Sequence, residues 1–597
     1  MSLRTLYSVL EETAKKFGSM PAMYQPTGAK TGAKYRTYTW REYAQSVREV
    51  ACGLHEAGIR HGDIVALDSE TRAEFYLADL GTMSAGAISA ALYTSLPVDD
   101  LVKQLRGSDA RACFVEDVKT LQALQRAGAP TAGMLWILLT GSAPGVLTLD
   151  DVKAKGHAAI EADPGLFERI RADVQPNDYA ILYLTSGATG EPKMGLATHD
   201  SIVSNIEMGP PVLPLGPNDV TLVFLPSAHI AQRIVLQMLP LIYGMPVYFS
   251  EGLGKMPSEL KELRPTFFLA PPRVWERIYS SISTEIKKRS KMTQRLYYTS
   301  LGLGLRAARL RHEGKSVPLW MKRSLKLADR LVFAKVRERL GGRLKVAASG
   351  AAPLGRELAQ FYEAINLPLV EGYGLTEGGV VALNPLDNPR AGSIGKLLPG
   401  VEMRLGTDNE LLLKSPTLFS GYYKDPASTA AVLQDGWLHT GDIAEVDSDG
   451  FIYITGRKKE LIVSSNGKKI YPARIEGLFK MEPLINQVIL IGDRQPYVTA
   501  LVTLNPAAVE TMPGLKDQPA TVLAAAQPVI DEVGQAVKRI NKQLAPFEQI
   551  KRFRILDRDF SIEHGELTPT MKVRRTQVLE NFRTAVSELY LGKEEMS

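Results

Sequence analysis

Cysteine and long apolar runs are what this 597-residue sequence has least of. It contains only Cys52 and Cys113, without metal-ligand spacing, which excludes a zinc site and favours two buried thiols in a reducing compartment. The most apolar stretch, 234–249, is broken by Gln237 and Pro246 and falls short of the roughly 18 residues that a membrane-spanning helix needs. The N-terminal segment carries acids and no apolar core, so we expect no secretion signal and a cytoplasmic protein.

Internal repeats, low-complexity tracts and zinc-finger or single-strand RNA motifs are also absent from the sequence, so we predict no nucleic-acid partner. Positive charge is nevertheless concentrated. The segment 285–345 holds 18 Lys or Arg against four acids and carries +14, whereas the whole chain carries +6. A solvated helical face would explain this charge. The alternative is peripheral contact with an anionic membrane at its inner face, since apolar residues are interleaved there: Leu301, Leu303, Leu305, Trp320, Leu325 and Phe333.

Short β-rich runs alternate with helical stretches from about residue 62 to 371, which predicts an α/β fold with mostly parallel sheets. Ligands bind beyond the carboxyl ends of the strands in such sheets, so the loops leaving them are the expected place for chemistry. The runs are DIVALD, ACFVED, YAILYLT, VTLVFLP, MPVYFS and RLKVAAS.

The sequence pattern changes after about residue 395. Short predicted strands and turns predominate there, including a hairpin with Asp449-Gly450 at its turn. A second alternating unit begins beyond Arg457, with QVILIGD and YVTALVTLN as predicted strands. The polar GRKKE segment between them indicates a boundary. We expect a large N-terminal domain, 1–456, and a small mobile C-terminal domain, 457–597.

The strongest local signal is YLTSGATGEPK, which leaves a β-run at Tyr183 and is followed by a helix-like stretch from Ser201. Glycines here let backbone amides approach a polyphosphate, hydroxyls donate to it, and Lys193 adds a cation. It is not a Walker A loop, because Pro192 stands where that motif needs glycine. An ordinary polar loop remains the alternative for this segment taken alone.

Further motifs follow in a fixed order, and together with this loop they resemble the adenylate-forming family of acyl-CoA synthetases, luciferases and peptide-synthetase adenylation domains. The resemblance implies an N-terminal domain of stacked α/β subdomains with a small β-barrel-like part, and an α+β C-terminal domain. The motifs are SGAAPL (349–354), EGYGLTE (371–377), NELLLKSP (409–416), GYYKDP (421–426), GWLHTGD (436–442), GRKKELI (456–462), NGKKIYPARIE (466–476) and LTPTMK (567–572).

The resemblance implies a complete site for ATP. Thr185 and Glu377 would hold Mg²⁺ on the triphosphate, as a hydroxyl and a carboxylate oxygen suit that hard cation. Asp442 would accept both ribose hydroxyls, assisted by Arg457, and Tyr373 would stack on the adenine. The other residues implied to bind ATP or AMP are Ser186, Gly187, Thr189, Gly190, Lys193, Gly350, Ala351, Ala352, Gly374 and Thr376.

The catalytic roles are likewise implied by the resemblance. Lys572 would reach the bridging oxygen between the substrate carboxylate and the α-phosphate, where in-line attack builds negative charge. His229 would lie beside the acyl carboxylate, although a core histidine is an equal alternative for it. Lys459 stands at the family's hinge position, and Gly467 in the loop that lines the tunnel for the pantetheine of coenzyme A.

Within the family, LPSAHIAQR and the C-terminal segment around LTPTMK resemble the long-chain acyl-CoA synthetases. That branch implies a fatty acid, ATP and free CoA as substrates. No carrier-protein segment follows Lys572, and nothing is inserted after GRKKELI as in acyl-AMP ligases that avoid CoA. Neither chain-length preference nor oligomeric state is fixed by any motif, and a medium-chain or aryl acid ligase stays open.

Two departures from the family pattern lie in the phosphate loop: Ala188 replaces a Thr or Ser, and Met194 replaces a Gly. The first removes a hydroxyl donor, and the second is expected to bring a bulky side chain into a tight loop. They are the sequence's only support for an alternative of another class, a non-catalytic protein that binds acyl or adenylate ligands.

Overall fold

The computed structural model describes residues 4–28, 33–131, 133–184, 193–568 and 570–591. Its strands are β1 Pro21–Pro26, β2 Tyr35–Thr39, β3 Ile64–Asp68, β4 Ile88–Ala91, β5 Ala112–Val115, β6 Leu135–Leu138, β7 Leu147–Thr148, β8 Tyr179–Leu184, β9 Met194–Thr198, β10 Thr221–Val223, β11 Val247–Phe249, β12 Phe267–Ala270, β13 Val346–Ser349, β14 Leu369–Leu375, β15 Gly379–Leu383, β16 Lys396–Leu397, β17 Glu402–Leu405, β18 Glu410–Lys414, β19 Gly421–Tyr422, β20 Leu433–Gln434, β21 Trp437–Val446, β22 Ile452–Arg457, β23 Ile462–Val463, β24 Lys469–Ile470, β25 Ile485–Ile491, β26 Val498–Leu504 and β27 Ile550–Ile555.

The α-helices are α1 Leu6–Phe17, α2 Trp40–Glu56, α3 Ala73–Ser84, α4 Val98–Gly107, α5 Val118–Arg126, α6 Leu149–Ala162, α7 Leu166–Ala172, α8 His199–Glu207, α9 Leu239–Tyr243, α10 Met256–Leu263, α11 Pro272–Lys287, α12 Lys291–His312, α13 Leu319–Ala328, α14 Ala334–Arg337, α15 Arg356–Ala364, α16 Pro426–Val432, α17 Pro472–Leu478, α18 Pro506–Val509, α19 Ala520–Ala525, α20 Gln527–Asn541, α21 Arg575–Asn581 and α22 Arg583–Tyr590. Two π-helical segments, Gln232–Met238 and Asp329–Phe333, and five 3₁₀ turns complete the described elements: Glu338–Leu340, Thr407–Asn409, Lys458–Glu460, Phe479–Met481 and Pro546–Glu548.

Two large sheets organise the N-terminal part. One has eight strands in the order β19-β9-β8-β4-β3-β5-β6-β7, and the other has nine in the order β16-β15-β14-β13-β12-β10-β11-β1-β2. Their central strands are parallel, and antiparallel strands lie at the edges, as in the β8–β9 pair. The central strand β3 is buried along its whole length, which is typical of a parallel strand covered on both faces.

The main hydrophobic core joins the two sheets. It includes Val65 and Phe114 from the eight-stranded sheet and Phe249 and Phe267 from the nine-stranded one, with buried residues of α1, α2 and α3 in the same cluster. Local signals fix the ends of these helices. Helix α2, for example, begins with a capping box in which Thr39 accepts from the backbone amide of Glu42, whose carboxylate accepts from the amide of Thr39.

Two smaller sheets follow. Strands β17, β18, β20, β21 and β22 form an all-antiparallel five-stranded sheet. Beyond it, β25, β26 and β27 form a three-stranded sheet with apolar clusters on both sides, one containing α20 and the other α21 and α22. The predicted fold class is confirmed, with a large N-terminal and a small C-terminal part, and the small β part is this five-stranded sheet.

Most of the predicted strands are present, from β3 in DIVALD to β26 in YVTALVTLN, and the hairpin turns at Gly450 with a left-handed φ of 81°. The structure differs after the phosphate loop, where strand β9 precedes helix α8 and the helix begins at His199 rather than Ser201. The two large sheets are mostly parallel, as predicted, with antiparallel pairs at their edges. None of the described helices is both long enough and apolar enough to cross a membrane.

Candidate active site

The centre of the site is a carboxylate held between two sheets. Asp442 is buried on β21, where it pairs in register with Arg457 of β22, and the Nε of Arg457 lies 2.8 Å from its Oδ1. The hydroxyl of Tyr373, on β14 of the nine-stranded sheet, donates to the other oxygen of Asp442 at 2.5 Å. Burial and this carboxylate raise the pKa of Tyr373 well above its ordinary value, so the phenol stays a donor. Three predicted site residues are thus brought together.

A second group forms where β19 joins the eight-stranded sheet beside β9. The hydroxyl of Tyr422 donates to the carboxylate of Glu377 at 2.6 Å. The ammonium of Lys193 lies over the Tyr422 ring, 4.9 Å from its centroid, and donates to the hydroxyl of Ser428 at 2.7 Å. Lys193 and Glu377 therefore meet through Tyr422 at the end of the strand that follows the phosphate loop.

Lys572 stands on a short turn at the end of the C-terminal part. The backbone amide of Lys572 donates to the hydroxyl of Thr568 at 3.0 Å, and the amide of Thr568 donates back to the Lys572 carbonyl at 2.8 Å. Met571 takes a left-handed φ of 64°, which closes the turn. The buried carboxylate of Glu566 anchors its base by accepting from the Arg558 guanidinium at 2.5 and 2.6 Å.

The Lys572 ammonium faces charged groups from the rest of the site. Desolvation at the ammonium and then the positive charge of Arg457 lower the pKa of Lys572, while Asp442, Glu377 and Glu460 act in the opposite direction. Lys572 is an exposed residue, so solvent reaches its side chain. This set of neighbours places Lys572 at the carboxylates predicted to hold ATP.

His229 lies close enough to Lys572 to feel its charge. Burial first, and then the Lys572 ammonium, lower the pKa of His229 to about 3, so the imidazole is neutral near pH 7. Its Nδ1 accepts a hydrogen bond from the backbone amide of Ala231 at 3.2 Å. In the neutral ring this acceptor role assigns the proton to Nε2, which leaves Nε2 as a donor.

The segment predicted to line the adenine leaves β13. Its residues are Gly350, Ala351 and Ala352, and Ala351 takes a left-handed φ of 70°. A Cβ on Gly350 would lie 3.5 Å from the carbonyl oxygen of Gly372 on the neighbouring strand β14. The carboxylate of Glu371 holds this loop by accepting a hydrogen bond from the backbone amide of Leu354 at 3.0 Å. Burial raises the pKa of Glu371 to about 7.

Gly374 and Thr376 follow Tyr373 in the same segment. A Cβ on Gly374 would lie 2.6 Å from the carbonyl oxygen of Gly379 on the antiparallel partner strand, so only glycine fits here. The methyl group of Thr376 lies 3.8 Å from the Cβ position of Gly195, on the strand that follows the phosphate loop. These contacts bring the nine-stranded and eight-stranded sheets together at the site.

The remaining predicted residues lie elsewhere or outside the described chain. Gly467 sits at an exposed turn between β23 and β24 with a left-handed φ of 73° and open space around it. Lys459 is exposed in the 3₁₀ turn Lys458–Glu460. The phosphate-loop residues lie outside the described residues: Thr185, Ser186, Gly187, Ala188, Thr189 and Gly190.

Met194 corrects one expectation. It is the first residue of β9, paired with Leu184, and its side chain packs among apolar residues; its Cε would lie 3.1 Å from a Cβ on Gly107 of α4. The bulky side chain therefore joins the hydrophobic core instead of entering a tight loop, because strand geometry turns it towards α4.

Hydrogen bonds and an ion pair also join the N-terminal part of the chain to the C-terminal part near the adenine segment. Lys480 donates to the carbonyl oxygen of Pro353, beside the adenine segment, at 2.5 Å and lies 3.1 Å from the carboxylate of Glu276. Arg273 donates to the backbone carbonyl of Asn486 at 2.8 Å.

Sequence reasoning assigned no role to Tyr422, Ser428, Glu371 or Glu460. Tyr422 belongs to the GYYKDP motif and Glu371 to EGYGLTE, so the motifs already contained both residues. Their contacts with Glu377 and Leu354 join residues 45 and 17 positions apart in the chain, which no local pattern reports.

The described residues contain no group of three or more His, Cys, Asp or Glu side chains arranged to hold a metal ion. Glu377 is nevertheless compatible with Mg²⁺. The Tyr422 hydroxyl donates a hydrogen bond to one oxygen of its carboxylate, and Lys193, the cation predicted to bind phosphate, lies over the Tyr422 ring. Magnesium in phosphate sites is commonly bound by one or two protein oxygens together with substrate phosphates and water.

The chain matches the family model of AMP-binding enzymes over residues 10–423 and that of the AMP-binding enzyme C-terminal domain over residues 459–594. A long-chain-fatty-acid–CoA ligase, FadD15 of Mycobacterium tuberculosis (strain ATCC 25618 / H37Rv), is 34% identical over 92% of each chain. The human long-chain-fatty-acid–CoA ligase ACSBG1 is 29% identical over 98% of this chain and 85% of its own.

Solved structures share the fold. The anthranilate CoA ligase AuaEII in complex with anthranoyl-AMP superposes with a TM-score of 0.72, at 19% identity and 98% coverage of both chains. The adenylation domain of a carboxylate reductase from Mycobacterium chelonae gives a TM-score of 0.74 at 23% identity, covering 98% of this chain and 91% of its own. The resemblance found in the motifs is confirmed: the chain belongs to the AMP-binding enzyme family.

Proposed function

We propose that this protein is a long-chain fatty acid–CoA ligase that forms an acyl-adenylate from ATP and passes the acyl group to coenzyme A. The observation that carries the proposal is the convergence of five residues from two sheets and two connecting segments on one place: Tyr373, Asp442, Arg457, Lys572 and His229. The names of the 34%-identical relatives support the substrate class.

In the first half-reaction a carboxylate oxygen of the fatty acid attacks the α-phosphorus of ATP. A new oxygen–phosphorus bond forms, the bond to the β-phosphate bridging oxygen breaks, and pyrophosphate leaves. Lys572 stabilises the negative charge that builds on the oxygen joining carboxylate and phosphorus, and Lys193 neutralises the pyrophosphate. His229 donates from Nε2 to the carboxylate, since the neutral ring carries its proton there.

The nucleotide is recognised by the buried carboxylate. Asp442 accepts from the two ribose hydroxyls, and Arg457 and Tyr373 hold that carboxylate in place. The Tyr373 ring faces the adenine, whose edge lies along Gly350–Ala352. The phosphate-loop residues, among them Thr185, Ser186 and Thr189, together with Gly187 and Gly190, surround the triphosphate.

Magnesium would be held by Glu377 and Thr185 together with oxygens of the triphosphate. When bound, it neutralises phosphate charge and orients the α-phosphate for attack. The protein's own part is to present the Glu377 carboxylate, which the Tyr422 hydroxyl fixes at 2.6 Å.

In the second half-reaction the CoA thiol attacks the acyl carbonyl, the bond from that carbon to the bridging oxygen breaks, and AMP leaves. We propose that the C-terminal domain, 457–597, turns about Lys459 between the steps. The turn removes Lys572 and brings the Gly467 loop to the pantetheine. The exposed position of both Lys459 and Gly467 is compatible with such a rotation.

The proposed partners are the three substrates, with no nucleic acid, and the proposed location is the cytoplasm at the inner face of an anionic membrane. The two cysteines support a reducing compartment, because both are buried free thiols.

The test is to incubate the purified protein with ATP, Mg²⁺, CoA and fatty acids from C8 to C20 and to identify the products by chromatography. We expect AMP, pyrophosphate and acyl-CoA, with the highest rate for the long chains. ADP and phosphate would contradict adenylation, and a preference for C8 or for an aryl acid would contradict the substrate class. Ligand binding without turnover would favour the non-catalytic alternative.

A further inference from the structure

Exposed apolar side chains are concentrated in one segment of the chain. Eighteen large hydrophobic residues are exposed in the described chain, and eight of them lie in the 41 residues from 291 to 331. Scattered exposed apolar residues are ordinary, but a contiguous group marks a surface that contacts something. The eight are Met292, Leu296, Tyr298, Leu305, Leu319, Trp320, Leu327 and Leu331.

Helix α13 shows how these residues are presented. Leu319, Arg323 and Leu327 are spaced four apart, so they share one face, and Trp320 adjoins them. Leu319 is 75% exposed, Trp320 55% and Leu327 59%, whereas Met321 and Ala328 on the opposite face are buried. The outward face therefore combines these apolar side chains with exposed cations, and α13 packs by its other face against its neighbours.

Positive charge surrounds this apolar face. Seven exposed cations of the segment have no carboxylate within ion-pair distance among the described residues: Lys291, Arg295, Arg306, Lys322, Arg323, Lys326 and Arg330. Other cations of the segment, such as Arg309 with Glu313, are already paired. We call α12, α13 and the π-helical segment that follows them, 291–333, the basic platform.

The basic platform packs against the strands that lead to the site. Tyr297 of α12 and Ala328 of α13 share a buried cluster with Phe268 and Ala270 of β12 and Ala347 of β13. Helix α12 also packs closely on α15, because a Cβ on Gly304 would lie only 2.3 Å from the carbonyl oxygen of Ala364. The platform therefore has a fixed position against these strands.

We propose that the basic platform docks the protein on an anionic lipid bilayer, with Leu319, Trp320 and Leu327 inserted among the headgroups. Unpaired cations complement anionic headgroups, and an indole with neighbouring leucines suits the boundary between headgroups and acyl chains. A second copy of the chain is a poor occupant, since it would bring two surfaces of the same positive charge together.

The purpose that we assign to this docking rests on the proposed function. A long-chain fatty acid partitions into bilayers, so an enzyme that lies on the bilayer meets its substrate there. The docking itself is a property of the surface and can be measured without ATP, CoA or turnover, so its failure and the failure of the ligase activity are separable.

The experiment is co-sedimentation of the full chain with vesicles of phosphatidylcholine containing about 30% phosphatidylglycerol, compared with vesicles of phosphatidylcholine alone. We expect binding to the anionic vesicles only, weakened at least tenfold when NaCl rises from about 50 to about 300 mM. The combined change Lys322→Glu, Arg323→Glu, Lys326→Glu should lower binding at least tenfold. The matched control is the combined change Lys119→Glu, Lys155→Glu, Lys542→Glu. It changes the net charge by the same amount at exposed lysines outside the platform and should leave most binding intact.

A second measurement reports insertion. The difference in emission between the wild type and Trp320→Phe isolates one of the five tryptophans, and this difference should shift to the blue with anionic vesicles. Thermal melting checks that each variant is folded. No binding, equal binding to neutral vesicles, or binding insensitive to the platform variant would overturn the proposal. Charge-dependent binding that occurs equally to polyglutamate, without the blue shift, would point to an acidic protein instead and overturn it as well.

Discussion

Asp442 takes its position from two donors that reach it from different strands, Arg457 beside it and Tyr373 from another sheet. A buried carboxylate needs such partners, because burying a charge without them is costly. Neither donor is adjacent to Asp442 in sequence, so the HTGD motif alone could predict the carboxylate but not what orients it.

Tyr373→Phe tests that orientation. The change removes a hydrogen bond to a charged acceptor, which contributes roughly 1.5–3 kcal/mol, and about 1.4 kcal/mol is a factor of ten. We expect the KM for ATP to rise about tenfold in steady-state assays. Tyr453→Phe is the matched control, because its hydroxyl donates to Asp447 at 3.2 Å in the β21–β22 hairpin. An unchanged KM in Tyr373→Phe would show that Arg457 alone holds the carboxylate.

His229 gives a prediction about acid stability. Its pKa falls from 6.5 to about 3 in the folded protein, so the unfolded chain binds an extra proton between those values. Stability contributed by the neutral ring is therefore lost as the pH falls through that window. Urea midpoints from pH 7 down to about 4 should fall less steeply for His229→Asn than for the wild type. The exposed His157→Asn is the control, and parallel slopes for all three proteins would contradict the assignment.

At the scale of elements, long apolar runs were predictable and short polar ones were not. DIVALD and YVTALVTLN became β3 and β26 because continuous burial favours apolar β-branched residues. MGLAT became β9 without an apolar run or clear alternation, through its pairing with β8 and β19. That pairing is also why Met194 packs in the core. Sequence alone could report the departure from the family pattern but not the direction in which the side chain points.

The phosphate loop allows a test of the other departure. Ala188 lies outside the described residues, and it lacks the hydroxyl with which a Thr would donate to a phosphate oxygen. A charge-assisted hydrogen bond of this kind contributes roughly 1.5–3 kcal/mol. Ala188→Thr should therefore lower the KM for ATP or raise kcat about tenfold. Ala188→Val has nearly the same shape without the hydroxyl, and an equal gain from both changes would show that the loop responds to bulk instead.

At the scale of the whole molecule, we propose that Lys572 and Gly467 serve different half-reactions. Lys572 lies among the site residues, whereas Gly467 lies at an exposed turn. We expect Lys572→Ala to lose adenylate formation, measured by pyrophosphate release, and to keep thioester formation from supplied acyl-adenylate. Gly467→Leu should do the reverse by obstructing the pantetheine.

Gly514→Leu is the matched control for the second variant. Gly514 has a left-handed φ of 76° and open space around it, as Gly467 does, so both changes introduce the same backbone strain. Loss of the same half-reaction in Lys572→Ala and Gly467→Leu would contradict rotation of the domain between the steps.

The family was readable from the order of motifs along the chain, whereas the way the domains meet was not. Lys480 approaches Pro353, and Arg273 approaches Asn486, across long separations in sequence. Such contacts depend on how the two parts of the chain pack, and no motif of either part encodes the partner.

The central claim is that the fatty acid carboxylate becomes joined to the α-phosphate of ATP. The most direct measurement uses fatty acid labelled with ¹⁸O in both carboxylate oxygens, together with ATP, CoA and the enzyme, and determines the mass of the AMP formed. Because the bridging oxygen comes from the carboxylate and leaves with the phosphate, each AMP should carry one ¹⁸O. Unlabelled AMP, or a label that appears in inorganic phosphate, would contradict an acyl-adenylate intermediate.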